Sequence, residues 1–173
     1  ERGARAVSSH TGALAGSDAG VEAACRQAGI IRARDSEEFI DALAALSKLP
    51  ALPSKSIAIV TNAGGPGILA TDAAQREGLD LVELTEVSKE TLRNRLPGTA
   101  SVSNPVDVIG DAKADRYSIA LEILARDKNV DAIVTILTRQ VMTEVERTAE
   151  EVVKIAKKHP LIPFVSVFMG GSS

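Results

Sequence analysis

Two short stretches hold residues whose types and spacing could do chemistry. In Ser8-Ser9-His10-Thr11-Gly12-Ala13 an imidazole is flanked by small and hydroxyl side chains. Small neighbours leave room around a neutral ring nitrogen, which can act as a nucleophile and carry a phosphoryl group; the plainer alternative is a solvated loop histidine. In Asn62-Ala63-Gly64-Gly65-Pro66-Gly67, glycines break an apolar run just before helical sequence resumes. Glycine lets the backbone turn tightly and come close to a ligand. A helix starting near Pro66 would point its free N–H groups, and the positive end of its dipole, outward. Strand, glycine turn and helix N-terminus together make an anion site.

Other readings of the same residues stay open. Gly65-Pro66-Gly67-Ile68-Leu69-Ala70 fits the G-x-G-x-x-G/A dinucleotide pattern, and Glu83 or Glu86 falls roughly 20 residues on, where a ribose-binding acid is expected. A tight structural turn is the third possibility. No G-x-x-x-x-G-K-[ST] is present, which excludes a self-sufficient P-loop. No Cys/His/Asp spacing suggests a metal held by this chain alone. Cys25, on an Ala-rich helix, reads as a small core residue. Ser103-Asn104-Pro105-Val106-Asp107 is either an Asx/Pro turn entering a strand or a segment lining a crevice, with Asn104 and Asp107 as its polar members.

The elements that must position these residues follow from composition and pattern. Of 173 residues, 45% are hydrophobic and only 2% aromatic, so the core is built from Val, Ile, Leu and Ala, which suits helices interleaved with parallel strands. A net charge of −3 with interspersed signs leaves no basic face for nucleic acid and no polybasic membrane patch. A single cysteine excludes a disulfide framework, and the lack of a secretory signal or a long apolar run points to the cytoplasm.

Residues 1–16 read as loop. A helix is expected from Ser17 or Asp18 to Ala28, stopped by Gly29, and a second opens at Asp35 with Glu38 three residues on and Phe39, Ile40, Leu43, Ala44 and Leu46 as its apolar stripe. After the Pro-containing linker near Leu49–Ser54, strands are predicted at Ser56–Thr61, Leu79–Leu84, Val106–Ile109, Asp131–Leu137 and Pro163–Phe168. Helices near Gly67–Glu77, Ser88–Arg95, Ala112–Arg126 and Glu144–Lys158 alternate with them, the last opened by a Thr143…Glu146 capping box and closed by Lys157, Lys158 and His159 at the end where the dipole favours positive charge. This predicts an α/β, flavodoxin-like, doubly wound parallel sheet of about five strands after a loop and two-helix segment. The division is residues 1–53, the end of a preceding domain, and 54–173; the unstructured opening and the stop at Ser173, where a helix is due, suggest a piece of a longer chain.

Three segments in a fixed order, SSHTGALAGSD, KSIAIVTNAGGPGILATDA and SNPVDVIGDA, resemble the α subunit, or the equivalent half of a fused chain, of ADP-forming acetyl-CoA (acyl-CoA) synthetases, in the NDP-forming acyl-CoA ligase superfamily with succinyl-CoA synthetase. The resemblance implies that His10 is the phosphorylated residue, that Ser9, Thr11 and Gly12 belong to its loop, and that Asn62, Ala63, Gly64, Gly65 and Gly67 open a "power helix" holding the phosphoryl group. It implies acyl-CoA and phosphate as substrates, with CoA, ADP/ATP and Mg²⁺ serving the complete, oligomeric enzyme. The CoA-binding and ATP-grasp partners lie outside this sequence, so the chain alone is expected to bind no cofactor and catalyse nothing. A non-catalytic, regulatory ligase-like domain is the alternative within this resemblance.

Overall fold

The computed structural model describes residues 17–170, so His10 and its neighbours Ser9, Thr11 and Gly12 lie outside the described residues. The chain divides into two compact units, the second beginning at Leu49.

In the first unit, α1 (Asp18–Ala28) is capped by the Ser17 hydroxyl, which accepts from the Gly20 N–H at 3.1 Å, and ends at Gly29, whose φ of 67° is the left-handed cap glycine adopts freely. Helix α2 (Ser36–Lys48) begins as its sequence predicts, with Asp35 Oδ1 accepting from the Glu38 N–H at 2.9 Å; Glu38 reaches back one residue further than a capping box requires, to the Arg34 N–H at 2.7 Å. No residue of either helix is buried, and Phe39, Ile40, Leu43 and Leu46 stand exposed. The expectation of Cys25 as a core residue is therefore corrected: it is half-buried on a helix without a core.

The second unit is an α/β domain with five parallel strands: β1 (Ser56–Thr61), β2 (Asp80–Leu81), β3 (Val106–Asp107), β4 (Ala132–Thr138) and β5 (Phe164–Met169). Between them run α3 (Gly64–Arg76), α4 (Glu86–Arg95), α5 (Ala114–Leu124) and α6 (Val145–Lys158). Strand β1 is central and buried on both faces. Ala58 and Val60 face the larger core, with Leu92 of α4, Tyr117 and Leu121 of α5 and Val152 of α6, while Ile57 and Ile59 face Ala74 of α3. The order is β2-β1-β4-β5, and β3 shares with β2 the same side of β1. Strand β2 pairs with its start (Ser56↔Asp80) and β3 with its end (Val60↔Val106).

That shared edge explains two short strands. Asn104 fills the gap between them: its Oδ1 accepts from the Ile59 N–H at 3.0 Å, and its Nδ2 donates to the carbonyls of Ile57 (2.8 Å) and Val82 (3.0 Å). The side chain thus does the work of a missing strand, and β2 stops at Leu81 instead of Leu84. Strand β3 stops at Asp107 because Ile109 has φ 71°, a left-handed conformation that no strand accommodates and that a β-branched residue adopts only at a cost. The Thr143…Glu146 capping box does not form either. Thr143 Oγ1 closes its own turn, donating to the Gln140 carbonyl (2.8 Å) and accepting from the Gln140 N–H (3.0 Å), and α6 begins at Val145 without a side-chain cap.

The carboxyl end of α6 meets α5 through one carboxylate. Glu122 accepts from Lys158 Nζ at 2.7 Å, pairs with Arg126 and lies 3.4 Å from His159 Nε2. Burial alone would raise the Glu122 carboxyl, but the hydrogen bonds from Lys158, Arg126 and His159 outweigh it and hold the pKa at about 2.

Candidate functional site

Strand order reverses between β1, whose neighbours β2 and β3 lie on one side, and β4 on the other, and α/β sheets bind ligands beyond the carboxyl ends of strands at such a switch point. Asn62–Gly67 leaves β1 there. Helix α3 starts at Gly64, two to three residues before the start expected near Pro66 or Gly67, and neither Gly64 nor Gly65 has a positive φ.

This earlier start changes which amides are free. The Ala63 N–H donates to Thr61 Oγ1 at 3.1 Å, and the Gly67 N–H closes the first helical turn on the Ala63 carbonyl at 3.2 Å. Pro66 has no N–H. Of the backbone donors from Ala63 to Gly67, only those of Gly64 and Gly65 are without a partner among the described residues. The Asn62 carboxamide is also spent: Nδ2 donates to the Thr138 carbonyl (2.9 Å), and Oδ1 accepts from the Thr138 N–H (2.8 Å) and hydroxyl (3.0 Å). Of the residues expected to bind phosphate, Asn62, Ala63, Gly64, Gly65 and Gly67, the structure leaves unpartnered backbone donors at Gly64 and Gly65 among the described residues.

The three glycines differ in kind. A Cβ on Gly67 would lie 3.1 Å from Thr61 Cγ2, tighter than an ordinary contact, so a side chain there would crowd the packing of α3 on β1. A Cβ on Gly65 would meet nothing within 4 Å, and one on Gly64 would meet only Asp107 Oδ2 at 3.9 Å. Packing therefore does not require glycine at 64 or 65, nor does backbone conformation, although each glycine costs roughly 0.5–1 kcal/mol in a helix relative to alanine. What their bareness permits is close approach from outside.

Asp107, at the end of β3, accepts from the Ile109 N–H through Oδ1 at 2.8 Å and turns Oδ2 toward Gly64. Its negative charge thus stands at the positive end of α3. The polar atoms of Asn104, by contrast, are committed to the sheet edge. Glu83 and Glu86, the acids of the dinucleotide reading, both accept from Lys89 Nζ at 2.8 Å.

Tyr117 and Thr138 are absent from the sequence-derived site. The Tyr117 hydroxyl is fully buried and donates to the Ile136 carbonyl at 2.9 Å. Burial and the nearby Asp107 charge raise its pKa above the ordinary tyrosine value, partly opposed by the Asn62 backbone. Its signal in the sequence is that it is the only tyrosine of an aromatic-poor chain.

A parallel α/β sheet with a bare, glycine-bearing helix start at its switch point has a geometry that can receive an anion. The chain belongs to the Ligase-CoA domain family, whose model matches residues 57–161; residues 1–46 match a second model, described as succinyl-CoA ligase like flavodoxin domain. It is 42% identical to acetate–CoA ligase [ADP-forming] I of Archaeoglobus fulgidus, across 100% of this chain and 24% of that protein. It is 39% identical to the α subunit of acetate–CoA ligase [ADP-forming] II of Pyrococcus furiosus, across 99% of this chain and 38% of that subunit. Among solved structures, acetyl-coenzyme A synthetase 1 of Ca. Korarchaeum cryptofilum, in complex with phosphate and ADP, superposes with a TM-score of 0.91 at 32% identity, covering 98% of this chain and 37% of that one. The chain thus spans well under half the length of these relatives.

Proposed function

We propose that this chain is the phosphohistidine and ligase segment of an ADP-forming acyl-CoA synthetase. Residues 1–53 carry the phosphorylated loop and the end of a preceding domain, and residues 54–173 form the ligase-CoA domain. The overall reaction is acyl-CoA + phosphate + ADP ⇌ free acid + CoA + ATP. Phosphate displaces CoA from the thioester to give an acyl phosphate. A neutral ring nitrogen of His10 attacks the phosphorus, the bond to the acyl oxygen breaks, and the carboxylate departs. The phosphoryl group then passes from His10 to ADP.

The observation that carries this reading is the helix start at Gly64-Gly65, bare without any internal reason for glycine. A phosphoryl group brings close to two negative charges, and the dipole term contributes about 0.3–1 kcal/mol, up to roughly 2 when partly buried. Two amides add charge-assisted hydrogen bonds, and Asp107 opposes them. The remaining stabilisation is assigned to companion CoA-binding and ATP-grasp domains, which also hold CoA, nucleotide and Mg²⁺. Among the described residues no group of three His, Cys, Asp or Glu could hold a metal ion. The assembled enzyme is read as a cytoplasmic oligomer acting on neither nucleic acid nor membrane; among the described residues no helix is long and apolar enough to cross a membrane.

The test uses the complete enzyme. Incubation with labelled ATP should give an acid-labile phosphoryl group, and His10→Ala should abolish both label and turnover. Label persisting in that variant would overturn the assignment.

A further inference from the structure

The β1–β4 ladder runs in register from Ile57↔Ala132 to Thr61↔Ile136, after which β1 leaves the sheet and becomes helix within three residues. The tie beyond it is made by a side chain. Asn62, 2% exposed, satisfies both the N–H and the carbonyl of Thr138 with its carboxamide and accepts the Thr138 hydroxyl as well. A carboxamide has the donor and acceptor of a peptide group, so it extends the tie between the strands while its own backbone is released to turn. Tyr117 supports the same strand exit: its buried hydroxyl donates to the Ile136 carbonyl at 2.9 Å, two residues before Thr138.

Ala63 and Gly64 follow Asn62 directly, so the position of the two free amides is set by this buried unit. We propose that Asn62, Thr138 and Tyr117 are positioning residues that fix the Gly64 and Gly65 N–H groups relative to the exit of β4, and that the Asn62 side chain is not itself a ligand. Burial removes the carboxamide from any incoming group. Fully satisfied hydrogen bonds within a packed interior give it one geometry. The proposal rests on the reading that a phosphoryl group docks at the start of α3.

The experiment measures single-turnover phosphoryl transfer from acyl phosphate to the complete enzyme, together with its melting temperature. Asn62→Ala, which removes all three bonds to Thr138, should slow transfer by about a hundredfold, the loss associated with roughly an ångström of misplacement, and Thr138→Val, which removes only the hydroxyl bond, should slow it by a smaller factor. The double variant should be no slower than the slower single one, because both break the same unit. Thr138→Ser keeps the hydroxyl and should recover transfer to within about threefold of the parent. Unchanged transfer per folded enzyme, with only the melting temperature lowered, would overturn the proposal in favour of a purely structural tie. Gly64→Ala with Gly65→Ala separates the two layers: transfer unaffected there places the phosphoryl group elsewhere and both readings fall, whereas loss there with Asn62→Ala and Thr138→Val normal removes only the positioning role.

Discussion

Gly64, Gly65 and Gly67 sit within four positions of one another and answer to different physics. At Gly67 a methyl group would press on Thr61 Cγ2 at 3.1 Å, so Gly67→Ala should cost about 1–3 kcal/mol, measurable as a lower urea midpoint. At Gly64 and Gly65 a methyl group meets open space or an ordinary contact. The pair Gly64→Ala with Gly65→Ala should therefore hold or raise stability, by up to about 1 kcal/mol per site, while phosphoenzyme formation by the complete enzyme falls. Stability and function move in opposite directions only if the bare helix start exists for a ligand. A joint loss of both would mean that these glycines serve packing after all. The motif was legible in the sequence as a cluster of glycines; which glycine serves which end was not, because that depends on the side chains of Thr61 and Asp107 across the turn.

Between elements, the decisive residue is Asn104. Strands β2 and β3 occupy one side of β1 at opposite ends, and the carboxamide between them supplies three hydrogen bonds to backbone. Asn104→Ala strands the Ile59 N–H and leaves the Ile57 and Val82 carbonyls a donor short, so a loss of about 2–4 kcal/mol is expected, read as a shift in the urea midpoint at unchanged slope. A loss below about 0.5 kcal/mol would show that water replaces the side chain and that the edge is open. The alternation of strand and helix was plain from apolar runs and breakers, since each is written in a local window. The strand limits were not. Leu79–Leu84 reads as six strand residues, yet only Asp80 and Leu81 are in register with β1, and the Val82 N–H makes the last backbone bond to it, at the Ile57 carbonyl, before Asn104 takes over.

For the whole molecule, charge couples the helical layer to pH. Glu122 holds Lys158, Arg126 and His159 between α5 and α6, and its carboxyl is lowered to about 2 in the folded state. A carboxylate with a depressed folded pKa contributes stability that is complete above its unfolded value, here 4.5, and is lost as the pH falls from there toward about 2. Lys158 and Arg126 are 55% and 64% exposed, so screening limits the contribution to about 1 kcal/mol. Glu122→Gln should lower the melting temperature by a few degrees at pH 7, with the difference vanishing near pH 2 in thermal melts across that range. An undiminished difference at low pH would mean that packing, and not charge, was lost. Among the described residues of the two-helix unit no helical residue is buried, and the ion pairs of Arg32 with Asp18 and Glu22 and of Arg26 with Glu22 lie at the surface.

By itself the sequence determined the α/β class, the alternation of strands and helices, and the place of the glycine loop at the end of the first strand. Those properties depend on composition, periodicity and breakers within a few residues of one another. Only the tertiary structure decided that β2 and β3 share one side of β1, that Asn104 closes the sheet edge, and that two amides remain free at the start of α3. Each of these turns on a hydrogen-bond partner far along the chain, 45 residues away for Asn104 with Ile59 and 76 for Asn62 with Thr138. No local preference of a carboxamide selects such a partner; the packing of strands that are distant in sequence does.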